Sequence, residues 1–137
     1  MAIEKIYDKL FKEFELYEIK FITDCLRGDE DNRTNKEILI EAIKDIVSEI
    51  VNYDDTDDLA HDWADSNTEI YTTEVFKIYS KNAYYSVFAD DARQEFGTND
   101  DIVKDLQAGI YLALRRFVEF VIQTYKELKE GGKDEDE

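Results

Sequence analysis

The chain has 137 residues, a formal net charge of −17, and 43% hydrophobic residues that include nine Tyr, eight Phe and one Trp. That apolar and aromatic content is too high for a disordered chain even at this charge, and the length suits one domain built on one core. The acidity argues against direct contact with nucleic acid or anionic lipid, and no apolar run approaches the ~20 residues of a membrane span.

Met1 to Phe14 carries Glu4, Asp8 and Glu13 among its apolar residues, unlike a signal peptide, so the expected location is the cytoplasm. In the same segment Ile3, Ile6, Tyr7, Leu10, Phe11 and Phe14 share one helical face. Ile19, Ile22 and Leu26 continue the apolar pattern until Arg27-Gly28-Asp29-Glu30-Asp31 stops it. This stretch reads as a single helix, with a bend allowed for near Leu16. Thr34 and Glu37 form a capping-box pattern, so a second helix begins near Asn35. Ile38, Leu39, Ala42, Ile43, Ile46, Val47 and Ile50 form its stripe, and it ends in the polar run Asn52 to Asp58.

A short helix is expected from Asp57 to Asp65, with Leu59, Ala60 and Trp63 facing inward. Ser66 to Tyr71 reads as extended, and Thr72 or Thr73 can cap a helix holding Val75, Phe76, Ile78 and Tyr79. Within Ala83 to Phe96, Tyr84-Tyr85-Ser86-Val87-Phe88 suits a strand by propensity, but a lone strand has no partner, so helix is preferred. Gly97 to Asp101 combines C-cap and N-cap chemistry ahead of a long last helix. On it Ile102, Leu106, Ile110, Ala113, Leu114, Phe117, Val121, Tyr125 and Leu128 line one stripe. Val103, Tyr111, Leu112, Phe120 and Ile122 widen that stripe almost to the full circumference, so this helix is expected either at the centre of the bundle or in a homodimer interface formed by Ile110, Leu114, Phe117, Phe120 and Val121. The predicted fold is all-α, a compact bundle of about five to six helices with a long, very apolar C-terminal helix. Residues 1–130 form the domain and 131–137 a disordered acidic tail.

The negative charge is unevenly spread. Tyr53 to Glu69 holds Asp54, Asp55, Asp57, Asp58, Asp62, Asp65 and Glu69 with no Lys or Arg, whereas other helical segments mix Lys and Glu. A solubilising acidic loop is the plain reading, and aspartates also initiate helices. The sharper reading is an interaction surface: carboxylates on a helical scaffold can imitate the phosphate array of DNA, which carries one charge per ~1.7 Å of duplex axis, and enter a basic cleft. Asp54, Asp58, Asp62 and Asp65 would share a face at spacings of four, four and three, and Asp90, Asp91, Glu95, Asp100, Asp101 and Asp105 could extend it.

Chemistry-bearing constellations are sparse. Cys25 is the only cysteine, which leaves no disulfide or Cys-based zinc site, and reads as a small buried hydrophobe. His61 is the only histidine, so a Ser-His-Asp relay and a His-rich zinc site both lack parts, and its i, i+4 spacing to Asp65 supplies just two metal ligands. Asp54 to Asp65 lacks the sixth-position glycine and final glutamate of an EF-hand, and no glycine-rich phosphate loop is present. No metal, cofactor or catalytic residue is expected. Arg115 and Arg116, in the most apolar helix, read as snorkelling or as internally paired with Glu119 in preference to binding an anion, and Trp63, Tyr71, Tyr84 and Tyr85 as core residues or partner anchors.

Trp63-Ala64-Asp65-Ser66-Asn67-Thr68-Glu69-Ile70-Tyr71-Thr72-Thr73-Glu74, with the later Gly109-Ile110-Tyr111-Leu112-Ala113-Leu114, resembles a group of small acidic proteins encoded by phages and other mobile elements. The likeness covers about a third of the chain, and Glu69 stands where the group's pattern has proline. The resemblance implies provenance and no functional residues. In size, charge and helix content the chain is also similar to phage inhibitors that imitate DNA and block restriction or CRISPR nucleases. The expected function is therefore a non-enzymatic inhibitor or modulator of a basic nucleic-acid-binding host protein, with a homodimeric accessory module as the alternative.

Overall fold

The structure, a computed structural model, describes residues 2–27, 32–79, 94 and 102–131, and side chains over 2–27, 32–68, 94 and 108–130. The architecture is all-α: α1 spans Ala2–Glu13, α2 Leu16–Leu26, α3 Asn35–Glu49 with a 3₁₀ turn over Ile50–Asn52, α4 Thr56–Tyr79 and α5 Ile102–Gly131. No strand occurs among the described residues. The sequence expectations for Ala83 to Phe96, Gly97 to Asp101 and the tail after Gly131 lie outside them.

The first apolar stretch is two helices, not one. Its periodicity slips between Phe14 and Ile19, so a continuous helix would turn Ile19, Ile22 and Leu26 away from the face that holds Ile6 and Leu10. The chain breaks at Glu15, whose extended backbone (φ −71°, ψ 152°) makes it the N-cap of α2. Its N–H donates to Glu18 Oε1 at 2.9 Å, completing a reciprocal capping box. Both helices then bury their own faces: Ile6 and Leu10 from α1, and Ile19, Phe21, Ile22, Cys25 and Leu26 from α2.

The second capping box forms as the sequence indicates, starting α3 at Asn35. Thr34 N–H donates to Glu37 Oε1 at 2.7 Å and Glu37 N–H to Thr34 Oγ1 at 3.1 Å. Arg27 ties the end of α2 to this start, its guanidinium donating to the Arg33 carbonyl at 2.6 Å and to Asn35 Oδ1. Ile38, Leu39, Ala42, Ile43 and Ile46 are buried, and Val47 and Ile50 pack on the core edge.

Helix α4 overturns the extended assignment of Ser66 to Tyr71, and Thr72 and Thr73 are interior to it, not caps. The polar run Ser66-Asn67-Thr68 looks like a breaker because such side chains compete for backbone hydrogen bonds. Here two of them bond back within the helix instead: Asn67 Nδ2 donates to the Trp63 carbonyl and Thr68 Oγ1 to the Ala64 carbonyl, both at 2.8 Å. The helical ladder survives. Leu59, Ala60, Trp63 and Ala64 face inward.

α4 lies along α5 in the most extensive helix pairing of the bundle, while α1, α2 and α3 pack around the same core. From α5, Ile110, Ala113, Leu114, Phe117, Val118, Val121 and Ile122 are buried. Fully burying a side chain such as Phe117 or Phe21 stabilises the fold by about 1.5–3 kcal/mol. The last helix is long, as expected, yet amphipathic: Arg116, Glu119, Gln123, Lys126, Glu127, Lys129 and Glu130 are exposed along one strip. No helix among the described residues is long and apolar enough to cross a membrane.

Candidate functional site

The acidic segment divides by position. Asp54 and Asp55 precede α4, Asp57 and Asp58 occupy its first turn, and Asp62 and Asp65 follow on its outer face; all six are exposed. Glu69 lies in α4 beyond the described side chains, as does Asp105 in α5. Asp90, Asp91, Glu95, Asp100 and Asp101 fall outside the described residues.

Two of the six carboxylates have structural work. Asp55 Oδ1 accepts the Asp57 N–H at 2.9 Å, which caps the helix start. Asp62 Oδ2 accepts the Tyr53 hydroxyl at 3.1 Å. Among the described residues, the side chains of Asp54, Asp57, Asp58 and Asp65 make neither an ion pair nor a hydrogen bond. Lys126 of α5 does approach the foot of the helix, donating from Nζ to Thr56 Oγ1 at 3.3 Å. Asp57 to Asp65 advances about 12 Å along the axis at ~1.5 Å per residue and presents four carboxylates. Their mean axial separation is about 4 Å, comparable to the ~3.4 Å of a single strand of B-DNA and somewhat under half the duplex density.

A second acidic row, absent from the sequence reading, lies on α3 beside the inner side of α4. Glu41, Asp45 and Glu49 recur at i, i+4 and i+8 on α3. The first two border α4: Asp45 Oδ2 accepts the Trp63 indole N–H at 2.8 Å, and Glu41 and Asp45 line a cleft with Trp63. Partial burial, the Asp62 hydrogen bond and the charges of Asp62, Glu49 and Asp58 together raise the Tyr53 pKa. The spacing was legible, but α3 also carries Lys36 and Lys44, and the near-balance of that segment hid a one-sided arrangement.

The expected homodimer face is occupied from within the chain. Ile110, Leu114, Phe117 and Val121 are each at most 1% exposed in the single protomer, and Phe120 packs edge-on against Phe14 with ring centroids 5.3 Å apart. Trp63 is likewise buried, 6.2 Å from the Phe117 ring, so it serves the core first. Tyr71, Tyr84 and Tyr85 lie outside the described side chains.

His61 connects α4 to α5. Its Nδ1 lies 2.6 Å from the Tyr111 hydroxyl, which also accepts from Arg115 Nη1 at 3.1 Å, while Arg115 Nε donates to Glu119 Oε2 at 3.1 Å. The internal pairing expected of Arg115 is present. Partial burial disfavours its charge, but Tyr111 and Glu119 more than offset this and its pKa is raised. No group of three or more His, Cys, Asp or Glu side chains converges on a metal position among the described residues. Cys25 is fully buried, and burial with the neighbouring Asp24 charge pushes its thiol well above the ordinary range, which holds it in its unreactive form.

The arrangement exposes carboxylates of Asp54, Asp57, Asp58 and Asp65 that make no ion pair among the described residues. Comparison with protein-family models, curated proteins and solved structures finds no match to this chain.

Proposed function

We propose that the chain is a non-enzymatic acidic protein that occupies the basic nucleic-acid cleft of a host protein, of the restriction or CRISPR nuclease type, in the manner of a DNA mimic. It would act in the host cytoplasm. The observation that carries the reading is the outer face of α4, where Asp57, Asp58 and Asp65, with Asp54 just ahead of the helix, stand exposed without counter-charge among the described residues, on a helix whose inner face is packed into the core. Self-repulsion among these groups costs stability, and a positively charged cleft relieves that cost while steering association. The phage-type resemblance of Trp63 to Glu74 fits the same partner class.

The test is competition. A restriction or CRISPR nuclease is incubated with labelled duplex DNA and increasing amounts of this protein. The expected outcome is displacement of the DNA, with an apparent affinity that falls as salt rises from 50 to about 200 mM. DNA binding unaffected by a large molar excess across a panel of such nucleases would overturn the proposal.

A further inference from the structure

A cleft of about 170 Å³ lies between the end of α2, α3 and the inner side of α4. Leu26, Ile38 and Ala42 supply its apolar lining, Trp63 and Asn67 its α4 side, and Glu41 and Asp45 its acidic rim, with Arg33 at the other edge. We infer that this cleft receives an arginine side chain projecting from the basic partner. The inference rests on the proposed acidic-surface function and assigns it a specific anchoring point.

Three features select that occupant. The Asp45 carboxylate holds the indole through one oxygen, leaving Oδ1 without a partner, and Glu41 makes no hydrogen bond or ion pair among the described residues. Two carboxylates with open acceptor positions beside one pocket suit the forked donors of a guanidinium. The Trp63 indole is held by its N–H on Asp45 and borders the cleft, so an aromatic edge stands beside the carboxylates for a planar cation. The volume holds several water molecules, enough for the end of an arginine side chain and too little for a folded segment. Arg33 at the edge disfavours a second cation there, so the cleft takes one side chain, and the remaining basic groups of the partner meet the α4 face.

Trp63 is the chain's only tryptophan, so its fluorescence reports on the cleft without a label. The intact protein is titrated with acetyl-hexaarginine amide and with the neutral hexacitrulline analogue, following fluorescence and heat together. A saturable Trp63 signal with the arginine peptide alone is expected. Glu41→Gln and Asp45→Asn should each weaken it roughly tenfold, the scale of a charge-assisted hydrogen bond. Asp45→Asn retains an oxygen for the indole N–H, and unchanged circular dichroism of both variants confirms the aromatic edge is intact. Combined Asp54→Asn, Asp57→Asn and Asp58→Asn should weaken overall binding yet leave the saturating Trp63 signal in place. Heat without a Trp63 signal, or a signal indifferent to Glu41→Gln, overturns the cleft assignment and leaves the acidic-surface reading standing. Neither heat nor signal overturns both.

Discussion

On the outer strip of α5 charges find partners within the helix: Arg115 reaches Glu119, Gln123 reaches Glu127 at 3.0 Å, and Lys129 lies over the Tyr125 ring. Asp57, Asp58 and Asp65 on the outer face of α4, and Asp54 just before it, have no such partner among the described residues, although the two helices form the bundle's largest packing contact. Exposed i, i+4 pairs are worth only a few tenths of a kcal/mol, so pairing on α5 does little for the fold and its absence on α4 does little harm. The contrast teaches that the two inner faces carry stability, which leaves the outer face of α4 free to be specialised.

The largest expected effects therefore come from the inner faces and should be alike on both helices. Phe117→Ala should cost about 3–5 kcal/mol and Leu59→Ala about 2–5 kcal/mol in urea unfolding, since both side chains are almost completely buried. A Leu59→Ala cost below half a kcal/mol would mean that α4 is not locked to the core, and the contrast would collapse. Light scattering on folded wild-type protein supplies the companion measurement. Monomer is expected because the apolar face of α5 is already covered.

The outer faces should differ instead in association. Replacing Asp54, Asp57 and Asp58 with Asn should slow binding to a basic partner about tenfold or more at low salt and flatten its salt dependence. Neutralising Arg115 and Glu119 together should leave both unchanged. Asp55 is kept because it caps α4. Stopped-flow association across a salt series makes the comparison, and equal responses from the two helices would erase the distinction.

Much of the fold was legible because it follows from short-range chemistry. The Thr34 capping box, the α3 stripe and the inward turn of Leu59, Ala60 and Trp63 each depend on residues within one or two turns. Two errors share a cause, which is that side-chain hydrogen bonds can either end a helix or be absorbed by it. At Glu15 the backbone N–H turned to the Glu18 carboxylate and a new helix began, and at Asn67 and Thr68 the polar groups bonded back and prolonged one. The site was legible only in part. Asp54 to Asp65 stands out in a linear charge count, whereas Glu41, Asp45 and Glu49 matter through a neighbouring helix, and a linear count does not see across the Asp45–Trp63 contact.

A smaller effect separates a carboxylate with local work from those without. Thr34→Ala removes one half of the α3 capping box and should cost about 1 kcal/mol in urea unfolding. The same measurement on Asp65→Asn should show almost nothing or a slight gain, because that side chain bonds to nothing described and adds to the repulsion on its face. A loss at Asp65 as large as at Thr34 would show that the α4 face is structural.

The smallest effect lies where the two acidic rows meet, at Tyr53. Partial burial, the hydrogen bond to Asp62 and the charges of Asp62, Glu49 and Asp58 all favour the neutral phenol, so its pKa is raised in the folded state. A phenol whose folded pKa lies above its unfolded value favours folding below the unfolded pKa, near 10, and this contribution is lost as pH rises through the folded pKa. Asp62→Asn removes one charge and exchanges a carboxylate acceptor for a weaker amide oxygen. The Tyr53 transition, isolated as the difference between phenolate absorbance titrations of the protein and of Tyr53→Phe, should therefore move to lower pH in Asp62→Asn. Glu49→Gln should move it the same way by less, because Glu49 acts through space with no hydrogen bond to the hydroxyl. If Glu49→Gln left the transition in place while Asp62→Asn moved it, the α3 row would be electrostatically separate from α4, and the acidic surface would reduce to the outer face of a single helix.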